Sequence, residues 1–176
     1  MSPPLIRPAK VEDIAAITAI YRPAVVQGTA SFEFEPPDEG EMRRRFEKIT
    51  GDGYPYFVAE EAGRVIGYTY ASQYQPRPAY RYTVEDSIYV AREAHRRGIG
   101  RALLERLIAA CAERGFRQMI AVVNDWDQIS SIWLHRALGF IVIGTIHAVG
   151  FKHGRWLDSV VLQRPLGDGD VTPPGS

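Results

Sequence analysis

A mixed α/β fold, one sheet with helices on both faces, is the architecture this sequence predicts, and three observations carry it. Strand-like runs rich in β-branched and aromatic residues recur at Tyr56–Glu60, Val65–Gln73, Thr83–Val90 and Gln118–Val123. Segments with helical spacing of apolar residues separate them, most clearly Leu103, Leu104, Leu107, Ile108 and Cys111. The chain then closes on two further strand-like runs, Phe140–Val149 and Trp156–Leu166, which predict an antiparallel pair.

Taken in order, Leu5–Arg7 reads as a short first strand. From Val11 to Arg22, Ile14, Ile17, Ile20 and Tyr21 mark a helix, which Pro23 is expected to close because the residue before a proline avoids the helical region. The loop from Gly28 to Pro37 carries Phe32 and Phe34, aromatics of either a packed connection or a lid. Asp38 with Glu41 three residues on has the form of a capping box, opening a helix through Met42, Phe46 and Ile49 that stops at Gly51-Asp52-Gly53. A hairpin follows about Ala62-Gly63, and the prolines of Gln75-Pro76-Arg77-Pro78 make a stiff loop before the central strand. Ile129–Leu138 is expected to form the last helix, capped by Gly139. Residues 1–166 then form one domain, and the Gly- and Pro-rich stretch 167–176 a disordered tail.

Composition narrows the function classes. With 21 basic and 21 acidic residues among 176, the formal net charge is zero, which argues against a nucleic-acid groove or a polybasic membrane surface. No apolar run approaches membrane-spanning length and no secretory segment opens the chain, so a cytoplasmic location is expected. One cysteine excludes an internal disulfide, and four scattered histidines give no metal-ligand spacing.

The stretch that organises the chemistry is Glu85–Val90 with the turn His95-Arg96-Arg97-Gly98-Ile99-Gly100-Arg101 after it. A helix opening there leaves backbone N–H groups free and places partial positive charge at its start, a site suited to a pyrophosphate. Gly98 and Gly100 would let the backbone approach the anion, and Arg96, Arg97 and Arg101 add charge. Neither the G-x-G-x-x-G spacing nor a Gly-Lys-Ser/Thr run is present, which excludes the Rossmann and P-loop forms. Alternation puts Thr83, Glu85, Ser87 and Tyr89 on one face of the central strand. There Glu85 is either a general base with a pKa raised by burial or an acid at the solvated mouth of the sheet. His135, on the last helix, is either a proton carrier or a hydrogen-bonded bystander. Cys111 falls on a buried helical face and reads as core rather than nucleophile.

The run from His95 to Gly100 resembles the pyrophosphate loop of the GNAT N-acetyltransferase superfamily, with His95 in place of the usual Gln or Arg. Ser131–Phe140, Thr83–Val90 and Gly150–Asp158 together resemble the phosphinothricin and methionine sulfoximine acetyltransferase branch of that superfamily. The resemblance implies a mixed, mostly antiparallel sheet splayed at the cofactor strand, with acetyl-CoA as cosubstrate and no metal. Its pantetheine arm would pair with the backbone of Ile88, Tyr89 and Val90, the Val90 N–H holding the thioester oxygen. The pyrophosphate would lie on His95 to Arg101, and Gln128 would stand where the family places an asparagine that bonds the arm.

Glu85 matches the family's proposed base and His135 an acid or auxiliary position. The acceptor, a small amino acid analogue, would be bound near Phe32, Glu33, Gln75, Arg77, Tyr82 and Ser87, with the planar Arg77 fork suited to its carboxylate. A homodimer without nucleic-acid or membrane partners completes this reading. Its rivals are acetylation of protein N-termini or other amines, and an acyl-CoA-binding sensor that does not catalyse.

Overall fold

The computed structural model describes residues 4–174, apart from the side chain of Asp127. Its strands are β1 (Leu5–Pro8), β2 (Tyr56–Glu61), β3 (Arg64–Gln73), β4 (Thr83–Val90), β5 (Gln118–Asn124), β6 (Ile141–Lys152) and β7 (Arg155–Pro165). The helices are α1 (Ile14–Val26), α2 (Glu39–Gly51), α3 (Ile99–Glu113) and α4 (Ile129–Ala137). One sheet runs in the order β1-β2-β3-β4-β5-β7-β6, antiparallel at every step except β4 against β5.

Each face of the sheet carries a core of its own, while edge strand β6 stays largely exposed. On one face the α3 residues Ile99, Leu103, Leu104, Leu107 and Cys111 pack with Ala59, Val84, Met119 and Leu162. Ile14, Ile17 and Val25 of α1 and Met42 and Phe46 of α2 cover the other face, over Tyr56, Val58 and Tyr68. Asp38 caps α2, its Oδ1 accepting from the Glu41 N–H at 2.7 Å, but the Glu41 carboxylate binds Arg44 and Arg45 and does not close the expected capping box.

Three boundaries differ from the sequence reading. The first helix does not end before Pro23 but continues to Val26, while Val11–Asp13 form a separate 3₁₀ turn ahead of it. Pro23 forfeits one helix hydrogen bond. Burial of Tyr21 and Val25, 8% and 1% exposed, outweighs that loss, and the Pro23 carbonyl then accepts from Gln27 and Gly28 to finish the helix. The first closing strand is longer than expected, the second is shifted by one residue, and the two meet in a tighter turn. His153 and Gly154 both take positive φ, 51° and 74°, the geometry a two-residue hairpin needs, so pairing reaches Lys152 and Arg155.

The stretch after Leu166 lies against Arg117, which donates to the Gly169 carbonyl at 3.1 Å, Thr172 Oγ1 at 2.9 Å and the Pro173 carbonyl at 3.0 Å. The ends of the expected domain and tail, residues 1–3 and 175–176, lie outside the described residues.

Candidate active site

The site is a seam in the sheet. β4 and β5 pair at only three positions, Thr83 with Gln118, Val84 with Met119 and Glu85 with Ile120. Beyond Glu85 the two strands diverge, although β3 stays paired with β4 to Val90 and β7 with β5 to Asn124. The result is a cleft of about 1280 Å³ whose walls include Glu85–Val90, Ala121–Asn124, the start of α3 and one side of α4.

Backbone direction decides what this seam offers. The Ala91 N–H donates to the Ile66 carbonyl at 2.9 Å and the Ser87 carbonyl accepts from Thr69 Oγ1 at 2.8 Å, so both face β3. Neighbouring residues of a strand present their backbone groups to opposite edges. Ile88 and Val90 therefore turn theirs toward the open seam, where β5 has moved away. The Val90 carbonyl is met there by His95 Nε2 at 2.9 Å. His95, read as the first residue of the anion loop, thus ties that loop to the end of β4.

Arg96 and Gly98 take positive φ, 60° and 78°, and the first intrahelical bond of α3 runs from Ala102 N–H to the Gly98 carbonyl. The N–H groups of Ile99, Gly100 and Arg101 precede that bond and have no helical partner, which makes an anion cradle. The glycines divide the work differently from the sequence reading. Gly98 supplies the left-handed turn, and a Cβ on Gly100 would stand 3.2 Å from Leu134 Cδ2, so Gly100 lets α3 approach α4. Arg97 is bonded to Glu61 and does not line the cleft, and Arg101 is bonded to Glu105 at 2.8 Å. Gln128 stands at the N-cap of α4 and lines the cleft.

Glu85 and His135 both line the cleft, and they approach it from different faces of the sheet. Burial, with a smaller push from the neighbouring Asp86, raises the Glu85 carboxyl from its ordinary 4.5 to about 6. His135, 2% exposed, presents Nε2 to Asp86 Oδ2 at 3.0 Å and Nδ1 to the Ser131 carbonyl at 2.7 Å. Burial works against a charged ring, but the Asp86 hydrogen bond and charge and the Ser131 carbonyl together lift its pKa above the ordinary histidine value.

Asp86 was missing from the sequence reading, yet it left a signal. On the face that also carries Val84, Ile88 and Val90, and which packs against α3, a lone carboxylate requires a partner.

The residues expected around the acceptor are more dispersed. Of that set only Ser87 lines the cleft. Phe32 packs against β6, its ring so close to Gly150 that a Cβ there would collide with it. Glu33 is held by Arg45 at 2.7 Å and by Tyr21 at 2.8 Å, the Arg45 bonds keeping its carboxyl below the usual range. Gln75 and Arg77 are exposed in the loop after β3, and Tyr82 receives the Arg81 guanidinium over its ring at 4.6 Å. Among the described residues no three His, Cys, Asp or Glu side chains gather as a metal site, and no helix is long and apolar enough to cross a membrane.

Comparison with known proteins places this seam in company. The acetyltransferase (GNAT) domain family matches residues 6–161. A phosphinothricin N-acetyltransferase of Alcaligenes faecalis is 51% identical over 169 residues, 96% of this chain and 86% of that protein. An L-methionine sulfoximine/L-methionine sulfone acetyltransferase of Pseudomonas paraeruginosa is 38% identical over 162 residues, 92% of this chain and 94% of that one. Among solved structures, a GNAT superfamily phosphinothricin acetyltransferase from Sinorhizobium meliloti in complex with AcCoA superposes with a TM-score of 0.96 at 53% identity, covering 99% and 95% of the two chains.

Proposed function

The chain belongs to the GNAT acetyltransferase family, and on that premise we propose that it acetylates the α-amino group of phosphinothricin, methionine sulfoximine or a closely related amino acid analogue. The observation that carries this reading is the open β4 edge beside a carboxylate raised to about 6. Acetyl-CoA supplies the activated acetyl group as a thioester.

The chain's residues fit that cosubstrate. Free N–H groups at the start of α3 receive its pyrophosphate, and the outward backbone groups of Ile88 and Val90 take the place of a strand partner for its arm. Of these two, the Ile88 N–H is the better holder of the thioester oxygen. It stands three residues from Glu85, about 10 Å by strand rise, whereas Val90 stands about 16 Å away, at the loop. Val90 then binds the arm. Glu85 takes the proton that the acceptor's ammonium must lose before its nitrogen can attack.

On the acceptor side, Ser87 faces the same side of the sheet as Glu85. We place the acceptor there, with the loop bearing Phe32 and Glu33 next to it. The test is thiol release from acetyl-CoA with phosphinothricin, methionine sulfoximine, methionine sulfone, ordinary amino acids and a short peptide as acceptors. Saturable turnover of the analogues is the expected result, and turnover of the peptide alone would replace this reading with protein N-terminal acetylation.

A homodimer suits the surface. Edge strand β6 and the start of β7 expose Ile141, Ile143, Val149, Phe151 and Trp156, each 50% or more. Apolar side chains on an edge strand invite pairing with another chain unless they are covered. We assign that cover to a second copy, and sedimentation equilibrium should return twice the chain mass. The balance of 21 basic and 21 acidic residues gives no reason for a nucleic-acid or lipid partner, and acetyl-CoA use suits the cytoplasm.

A further inference from the structure

The buried pair between β4 and α4 has no part in the scheme above, and its geometry is unusually restrictive. His135 and Asp86 are 2% and 6% exposed, yet both border the cleft. The Ser131 carbonyl accepts at Nδ1 and the Asp86 carboxyl faces Nε2, an arrangement that a ring with a hydrogen on each nitrogen satisfies on both sides. The Ser131 hydroxyl adds only a 3.4 Å approach to Nδ1. Asp86 Oδ1 is buried without a hydrogen-bond partner. Removing the ring proton would leave that carboxylate buried and uncompensated, the state that burial penalises most.

Resting on the acetyl-transfer reading, we propose that Asp86 is a positioning residue that holds His135 as a fixed imidazolium on the cleft wall, where its charge stabilises the sulfur anion as the thioester breaks. The reaction forms a C–N bond and breaks the C–S bond, whose electron pair passes to sulfur. Of the two protons that the ammonium nitrogen loses, one leaves by way of Glu85 to solvent and the other ends on sulfur. His135 keeps both of its own. Of the acid and auxiliary roles expected from the sequence this takes the auxiliary one, because each ring N–H is already spent on an acceptor inside the protein.

One neighbour, Glu85, titrates within the same range, at about 6. Glu85 adjoins Asp86 on β4, and α3 presents Cys111, whose thiol burial pushes up to about 12, with the Arg114 guanidinium bonded to the Ala110 carbonyl. Phe140 meets the His135 ring edge-on at 5.0 Å. Among the described residues, neither member has another ion pair.

The test combines ¹⁵N NMR of histidine-labelled free protein from pH 5 to 9 with steady-state kinetics of Asp86→Asn. In the wild type both His135 nitrogens should read as protonated through pH 7. In Asp86→Asn the ring should titrate at or below the ordinary histidine value of about 6.5. Its kcat should fall about tenfold or more, as for loss of a charge aimed at the transition state, while KM for acetyl-CoA stays within about twofold. If Asp86→Asn does not fold, the doubly neutral Asp86→Asn/His135→Gln should show the same kcat loss. A neutral ring in the wild type at pH 7, or full kcat in a folded variant that has lost the ring charge, would overturn the proposal. The spectrum needs no substrate, so it reports on the pair even where wild-type turnover fails and the acetyl-transfer reading falls.

Discussion

Glu85→Gln should lower kcat/KM for the analogue acceptors by roughly 10² to 10⁴, the usual contribution of a positioned general base. Glutamine keeps the size and the hydrogen-bonding capacity of the side chain, so KM for acetyl-CoA should hardly change. The wild-type kcat/KM should rise with pH through about 6 as the Glu85 carboxylate forms, and the variant should lack that limb. Stability should move the other way. A carboxyl whose folded pKa lies above its unfolded value binds more protons when folded, so its stabilising contribution is present below about 4.5 and is lost as pH rises through about 6. At pH 7 the glutamine variant should therefore be more stable by up to about 1–2 kcal/mol. A slower but more stable enzyme is the expected combination. Unchanged turnover, measured with every acceptor that the wild type uses, would remove Glu85 as base.

Lys152→Met should destabilise the fold by about 2–4 kcal/mol, because a buried hydrogen-bonding group left unpaired costs about 1–3 kcal/mol and two are involved. Lys152 is 3% exposed and reaches from the end of β6 across to α1 and the loop after it. Its Nζ donates to the Val25 carbonyl at 2.7 Å and the Ser31 carbonyl at 2.6 Å. Methionine fills a similar volume and relieves the burial of a charge, which offsets part of the loss. The urea midpoint should fall with an unchanged m-value. KM for the acceptor should rise as well, since the loop bearing Phe32 and Glu33 loses one of its anchors. A variant as stable as the wild type would show that the two carbonyls find other partners at no cost.

How far the sequence spoke for itself varied with the range of the interaction. Local signals carried well. The Asp38 cap, the turn at Ala62-Gly63 and the buried face from Leu103 to Cys111 all depend on residues a few positions apart, and the structure has them. Pro23 misled because its local penalty is outweighed by the tertiary burial of Tyr21 and Val25. Alternation along the central strand singled out Glu85, whereas Ile88 and Val90 were expected only through the resemblance to the GNAT superfamily.

Long-range pairings were not legible. Asp86 and His135 lie 49 positions apart, Lys152 and Val25 127, and Glu33 and Arg45 come together from a loop and a helix. No spacing rule connects such pairs, and only an unexplained charge on a core-facing strand position hinted at one of them. The same limit dispersed the expected acceptor set, since no rule of spacing tells whether Glu33 is free or already engaged by Arg45 and Tyr21.

The three-position ladder between β4 and β5 also bears on how the molecule comes apart. β1–β4 with α1 and α2 make one half-sheet, and β5, β7 and β6 make another with long ladders of their own. Regions with few shared contacts open as separate cooperative units. The chain is in that sense two lobes stitched at one end and overlaid by α3. A molecule lying along the open part of the seam is then a fastener as well as a reactant, coupling the breathing of one lobe to that of the other.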